Sequence, residues 1–92
     1  PGTLQDVAAA VAHVAKFAPT YRLDTRRMFA IGHSAGGHLA LWLATEGSVR
    51  AAIALAAVPD LEEGWRRKMG NGAVQDFMGC PMTGCPDSYR KA

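Results

Sequence analysis

The chain lacks an initiator methionine, a charged-then-apolar leader, and any apolar run near the roughly 20 residues that a membrane helix needs. It begins at Pro1, so it reads as a piece of a longer polypeptide, and no membrane partner is expected. Charge of one sign is also scarce. Ten Lys and Arg against eight Asp and Glu leave a formal charge of +2, too little to draw a nucleic acid by electrostatics. The one basic run, Arg66-Arg67-Lys68, follows Glu62 and Glu63 at helical spacing, which favours self-pairing on a solvated face over an anion site. There are only two cysteines, Cys80 and Cys85. Four residues separate them with no second pair beside them, so free loop thiols are expected ahead of a disulfide, with a metal site third. The compartment stays undecided. There is no low-complexity tract or repeat, and 49% hydrophobic with 20% charged residues excludes a disordered or collagen-like chain. Ninety-two residues make at most one domain, with a small core.

What is present has the order of an α/β chain. Thr3-Leu4-Gln5-Asp6 has the form of a capping box, and Leu4, Val7, Val11 and Val14 recur at helical spacing. This predicts an amphipathic helix that covers one face of a sheet and is stopped by Pro19, with His13 a partly exposed helix residue. Tyr21 to Arg27 reads as a loop. The run Met28 to Ile31 has the pattern of a strand buried on both faces. A largely apolar helix follows, with Gly47 at its stop, and then Val49 to Val58 as a parallel strand of a β-α-β unit. Asp60 to Lys68 reads as a polar, partly helical excursion. Gly70-Asn71-Gly72 reads as a turn, with a short helix placing Val74, Phe77 and Met78 on one face after it.

Between the first strand and the apolar helix lies Gly32-His33-Ser34-Ala35-Gly36. A G-x-S-x-G in that position reads as a nucleophile elbow, a sharp turn that lifts the serine hydroxyl above the sheet on a strained backbone. Gly32 and Gly36 are then the elbow glycines, at positions where a larger side chain would collide across the turn. Ser34 is the candidate nucleophile. The backbone N–H of Ala35, at the start of the helix, is a candidate oxyanion donor, and losing such a donor typically costs about 3 to 4 kcal/mol in the barrier. The bland alternative is a glycine-rich turn whose serine only caps the helix. Phosphate binding is disfavoured because no Lys-Ser/Thr pair follows the glycines and no G-x-G-x-x-G is present. His33 and His38 are poorly suited as general base: His33 is better read as a pocket residue, and His38 as a hydrogen-bonding helix residue.

Through Tyr21-Arg22-Leu23-Asp24, the strand at Met28 to Ile31, Gly32 to Trp42, Val49 to Leu61, Phe77-Met78-Gly79 and Pro86-Asp87-Ser88-Tyr89, the chain resembles the α/β-hydrolase superfamily. Within it, the chain is similar to the carboxylesterase and kynurenine formamidase-like group. The resemblance implies an α/β fold, the central part of an α/β-hydrolase domain with parallel strands flanked by helices, and a candidate cap segment starting in the C-terminal part. It also implies that Ser34 is the nucleophile and the Ala35 amide half of the oxyanion hole, acting on a small-molecule ester or amide with no cofactor. The family's His-Gly-Gly loop would lie upstream of Pro1. No histidine follows His38, and Asp60, Asp76 and Asp87 stand too close to Ser34 for the triad acid. The 92 residues alone are therefore expected to be inactive. A prolyl oligopeptidase-type peptidase and a non-catalytic binding protein on the same scaffold remain as alternatives.

Overall fold

The computed structural model describes residues 2–92, and the chain divides into two compact units, Gly2–Ala57 and Val58–Ala92. The first unit runs α1 (Gly2–Tyr21), a single 3₁₀ turn (Thr25–Arg27), β1 (Phe29–His33), α2 (Ala35–Thr45) and β2 (Ala51–Leu55). The second holds three short helices: α3 (Leu61–Arg66), α4 (Ala73–Met78) and α5 (Pro86–Lys91).

Helix α1 departs from expectation at both ends. It is already helical at Gly2, so Thr3 lies inside it and cannot be its N-cap. Pro19 also lies inside. Its ring removes the N–H that would bond the Ala15 carbonyl, yet the helix continues for two residues because one lost bond in the last turn is tolerable. The true stop is Arg22, which takes a left-handed φ of 55°, while the Leu23 amide folds back to the Ala18 carbonyl at 2.9 Å. This is the Schellman closure, with an arginine in the place glycine usually fills. Leu4 and Ala18 are buried and Val7 and Val11 half-buried, and α1 packs on α2.

β1 and β2 pair in parallel, from Phe29 opposite Ala51 to His33 opposite Leu55. Because side chains alternate along a strand, the two faces differ in bulk. Ala30, Gly32, Ala52 and Ala54 form the face with intermediate burial, and these small residues let α2 lie close. The opposite face carries Phe29, Ile31, Ile53 and Leu55, which are 52–69% exposed. The expected burial on both faces is thus met on one only. The open face holds the bulkier residues, a surface composed for burial.

α2 ends as the sequence predicts. Gly47 takes φ 74°, its amide bonds the Ala44 carbonyl at 3.2 Å, and the Ser48 amide bonds the Leu43 carbonyl at 3.0 Å.

In the second unit, Asp60 caps α3 by accepting from the Glu63 amide at 3.1 Å. Arg67 pairs with Glu63 at 2.6 Å and Arg66 reaches Glu62 at 3.9 Å, so these arginines are engaged on their own helix as the charge spacing implied. Gly70, Asn71 and Gly72 all take left-handed φ, turning the chain into α4, where Val74 and Met78 are buried. With Leu61 and Tyr89 they form the unit's core. Cys80 and Cys85 are joined in a disulfide, which corrects the expectation of free thiols. The Cys85 amide turns back onto the Pro81 carbonyl at 3.2 Å, and the Tyr89 hydroxyl donates to the Cys80 carbonyl at 2.7 Å. These bonds fix the two Cα atoms 6.4 Å apart, within bridging reach.

Candidate active site

Ser34 lies where β1 gives way to α2. Its backbone sits at φ 54°, ψ −118°, a region that residues with a Cβ rarely occupy and that costs on the order of 1–3 kcal/mol. Such a conformation persists only where its surroundings over-determine it, and three contacts do so here. The Ser34 amide donates to the Leu55 carbonyl at the end of β2, at 2.8 Å. The His38 amide donates to the Ser34 carbonyl at 3.2 Å, opening the helix. Gly32 lies directly against the Gly36 backbone, with room for no side chain: a Cβ there would stand 2.7 Å from the Gly37 nitrogen, and the Gly36 carbonyl is nearer still.

The steric demands differ in one respect from the sequence pattern. A Cβ on Gly36 would meet nothing within 4 Å, whereas one on Gly37 would meet the Ala57 methyl at 2.8 Å and the Gly32 oxygen at 3.1 Å. The positions of the turn that exclude a side chain are therefore Gly32 and Gly37, while Gly36 supplies the backbone against which Gly32 lies and its own Cβ direction is open.

The helix-capping alternative for Ser34 is not what the structure contains. Ser34 stands at the N-cap position, but its side chain makes no capping hydrogen bond, and the residue is exposed. Ala35 is the first residue of α2, so its amide has no acceptor within the helix and lies at the positive end of the helix dipole. A hydroxyl free of the cap beside an unclaimed amide can attack a carbonyl carbon and hold the oxygen on which charge develops.

The three histidines are dispersed. His13 lies on α1 with its ring edge-on to Phe17, centroids 4.7 Å apart. His33 is exposed at the end of β1, on the same face as Ile31, and His38 is buried in α2 at 5% exposure. Asp60 is engaged as the α3 cap.

One residue that the sequence reading passed over belongs with the turn. Ala56 takes φ 48° immediately after β2, between Leu55, which holds the Ser34 amide, and Ala57, which touches Gly37. Nothing in the local composition signals this, since the run Ala54-Leu55-Ala56-Ala57 is as compatible with a continuing strand as with a left-handed kink.

A parallel β-α-β unit whose first crossover turns on a strained, uncapped serine defines an α/β-hydrolase-like domain. The family model of BD-FAE, an α/β-hydrolase-like family, matches residues 1–80, and the chain belongs to that family. No curated protein and no solved structure matches the chain.

Proposed function

We propose that the chain carries the nucleophile of a serine hydrolase that cleaves small carboxylic esters, or the formamide of N-formylkynurenine, through an acyl-enzyme on Ser34. The observation that supports this reading is the Ser34 conformation: a positive φ held from both sides, with the hydroxyl not spent on capping α2. In the proposed reaction Ser34 Oγ attacks the carbonyl carbon, the Ala35 amide donates to the developing oxyanion, and the alcohol or amine leaves. Water then attacks the acyl carbon and restores the serine. The general base, its acidic partner and the second oxyanion donor are proposed to come from segments outside these 92 residues. The Val58–Ala92 unit is proposed as the start of a cap segment.

The test is turnover by the complete protein that contains this chain, on p-nitrophenyl acetate and on an N-formyl arylamine, beside its Ser34→Ala variant. Hydrolysis of one or both substrates, lowered on the order of a millionfold by Ser34→Ala, is expected. Turnover retained by Ser34→Ala would refute the assignment. A folded complete protein inert toward both substrates would instead favour a binding role for the scaffold.

A further inference from the structure

We propose that Cys80 and Cys85 form a thiol–disulfide exchange site, and that the bridge between them is a redox-sensitive clasp seating α5 on the core of the Val58–Ala92 unit. The inference does not depend on the reading of Ser34. It begins from how little else holds α5. That helix spans six residues, far too few to be stable by its own hydrogen bonds, and Tyr89 is its one buried residue. Tyr89 is 3% exposed against Leu61, Val74 and Met78, and its hydroxyl donates to the carbonyl of Cys80 itself. Both cysteines pack against the same core, and the Cys85 carbonyl accepts the Ser88 and Tyr89 amides that open α5. The bridge therefore ties the acceptor of the Tyr89 hydroxyl to the residue that starts its helix. The only ion pair joining α5 to α3 among the described residues, Arg90 to Glu62 at 3.4 Å, has its arginine exposed and its glutamate half-buried, and pairs so open to solvent contribute little. Units shorter than about 40 residues usually need a disulfide, a metal or a partner to stay folded, and Val58–Ala92 falls below that length.

The bridge is also reachable. Cys80 and Cys85 are half-buried, and Pro81, Thr83, Gly84 and Pro86 around them are exposed. A dithiol reductant is the co-reactant that fits. Its thiolate attacks one sulfur of the bridge, forming a mixed disulfide and expelling the other cysteine as a thiolate. The reductant's second thiol then attacks its own sulfur in that mixed disulfide, releasing the second cysteine thiolate and closing the reductant's disulfide. Two electrons pass from the dithiol to the protein, and each cysteine sulfur takes up one proton. The ring of backbone between Cys80 and Cys85 opens, and α5 loses the constraint that holds Tyr89 in place.

The experiment is amide hydrogen exchange on the full chain, oxidised and after dithiothreitol, with thiols counted under denaturing conditions. The oxidised chain is expected to show no free thiol and the reduced chain two. Amides of α5 are expected to exchange at least tenfold faster after reduction, while those of α2 and β1 keep their rates, and reoxidation is expected to restore protection. The double variant Cys80→Ser/Cys85→Ser is expected to match the reduced chain and to ignore dithiothreitol. Reduction of the unaltered chain supplies the comparison without any substitution, should that variant fail to fold. Two free thiols in a chain exposed to a glutathione disulfide buffer, or α5 protection equal in both redox states, would overturn the proposal.

Discussion

The amide of Ser34 donates to the carbonyl of Leu55 at 2.8 Å, so the turn carrying the hydroxyl is fastened to the neighbouring strand and not to its own helix alone. That bond belongs to the last pair of the β1–β2 ladder, His33 opposite Leu55. The sheet thereby holds Ser34 at φ 54°, where a residue with a Cβ would not stay unaided. Strain held this way is relieved by glycine. Ser34→Gly is expected to raise stability by about 1 kcal/mol, the strain released less the extra entropy glycine loses on folding. Ser34→Ala keeps the Cβ and is expected to leave stability nearly unchanged. Urea midpoints of the three proteins check this, and a midpoint lowered in Ser34→Gly would contradict it.

The glycines of the turn should not tolerate substitution equally. A methyl on Gly32 runs into Gly36 backbone, which cannot give way without moving the start of α2, so Gly32→Ala is expected to cost about 3 kcal/mol or more. Gly36→Ala meets no atom and replaces a helical glycine, so it is expected to be neutral or stabilising by up to about 1 kcal/mol. Soluble yield and urea midpoints of the two variants measure the contrast, and equal losses would show that the close approach lies elsewhere.

The open face of the sheet predicts self-association. Phe29, Ile31, Ile53 and Leu55 share one face, and burying what is still exposed of each would be worth roughly 1–2 kcal/mol. The isolated 92-residue chain is expected to bind a hydrophobic dye and to sediment with a concentration-dependent mass. Ile31→Lys with Ile53→Lys is expected to reduce both signals. A sharply melting monomer that leaves the dye dark would contradict this.

Tyr89 gives the second unit a pH dependence with a definite sign. Burial pushes its phenol above the ordinary value of 10.0, so the folded state holds the proton more tightly than the unfolded state. The stabilisation is full below pH 10.0 and is lost as pH rises through the raised folded value. The urea midpoint of the bridged chain should therefore fall on going above about pH 10, and Tyr89→Phe should flatten that part of the profile. An identical fall in Tyr89→Phe would assign the loss to other groups.

Much of this structure is legible in local pattern. The strand ending at the serine, the Gly47 stop, the Asp60 cap and the Gly70-Asn71-Gly72 turn all follow from residue chemistry acting within a few positions. Pro19 misled because proline weakens a helix by only one bond in the last turn, while the left-handed residue that ends α1 is Arg22, which carries no signature for it. The disulfide was not decided by the spacing of Cys80 and Cys85. What brings them together is a turn onto Pro81 and a hydrogen bond from Tyr89, nine residues beyond Cys80. Apolar runs reveal that Phe29 and Ile53 are suited to burial, but not whether an element lies over them. At the site, the sharp strand-to-helix turn at Ser34 is readable from the pentapeptide. The fastening by Leu55, the kink at Ala56 and the transfer of close packing from Gly36 to Gly37 arise from contacts between elements, which spacing along the chain does not encode.

The central claim is that Ser34 is an activated nucleophile in the complete protein. The most direct measurement is labelling of that protein with a fluorophosphonate probe, followed by mass spectrometry of the peptide containing the turn. One phosphonate adduct is expected on Ser34, lost in Ser34→Ala while the Ser48 and Ser88 peptides remain unlabelled in both proteins. Equal labelling of the two proteins, or an adduct on any serine other than Ser34, would contradict it.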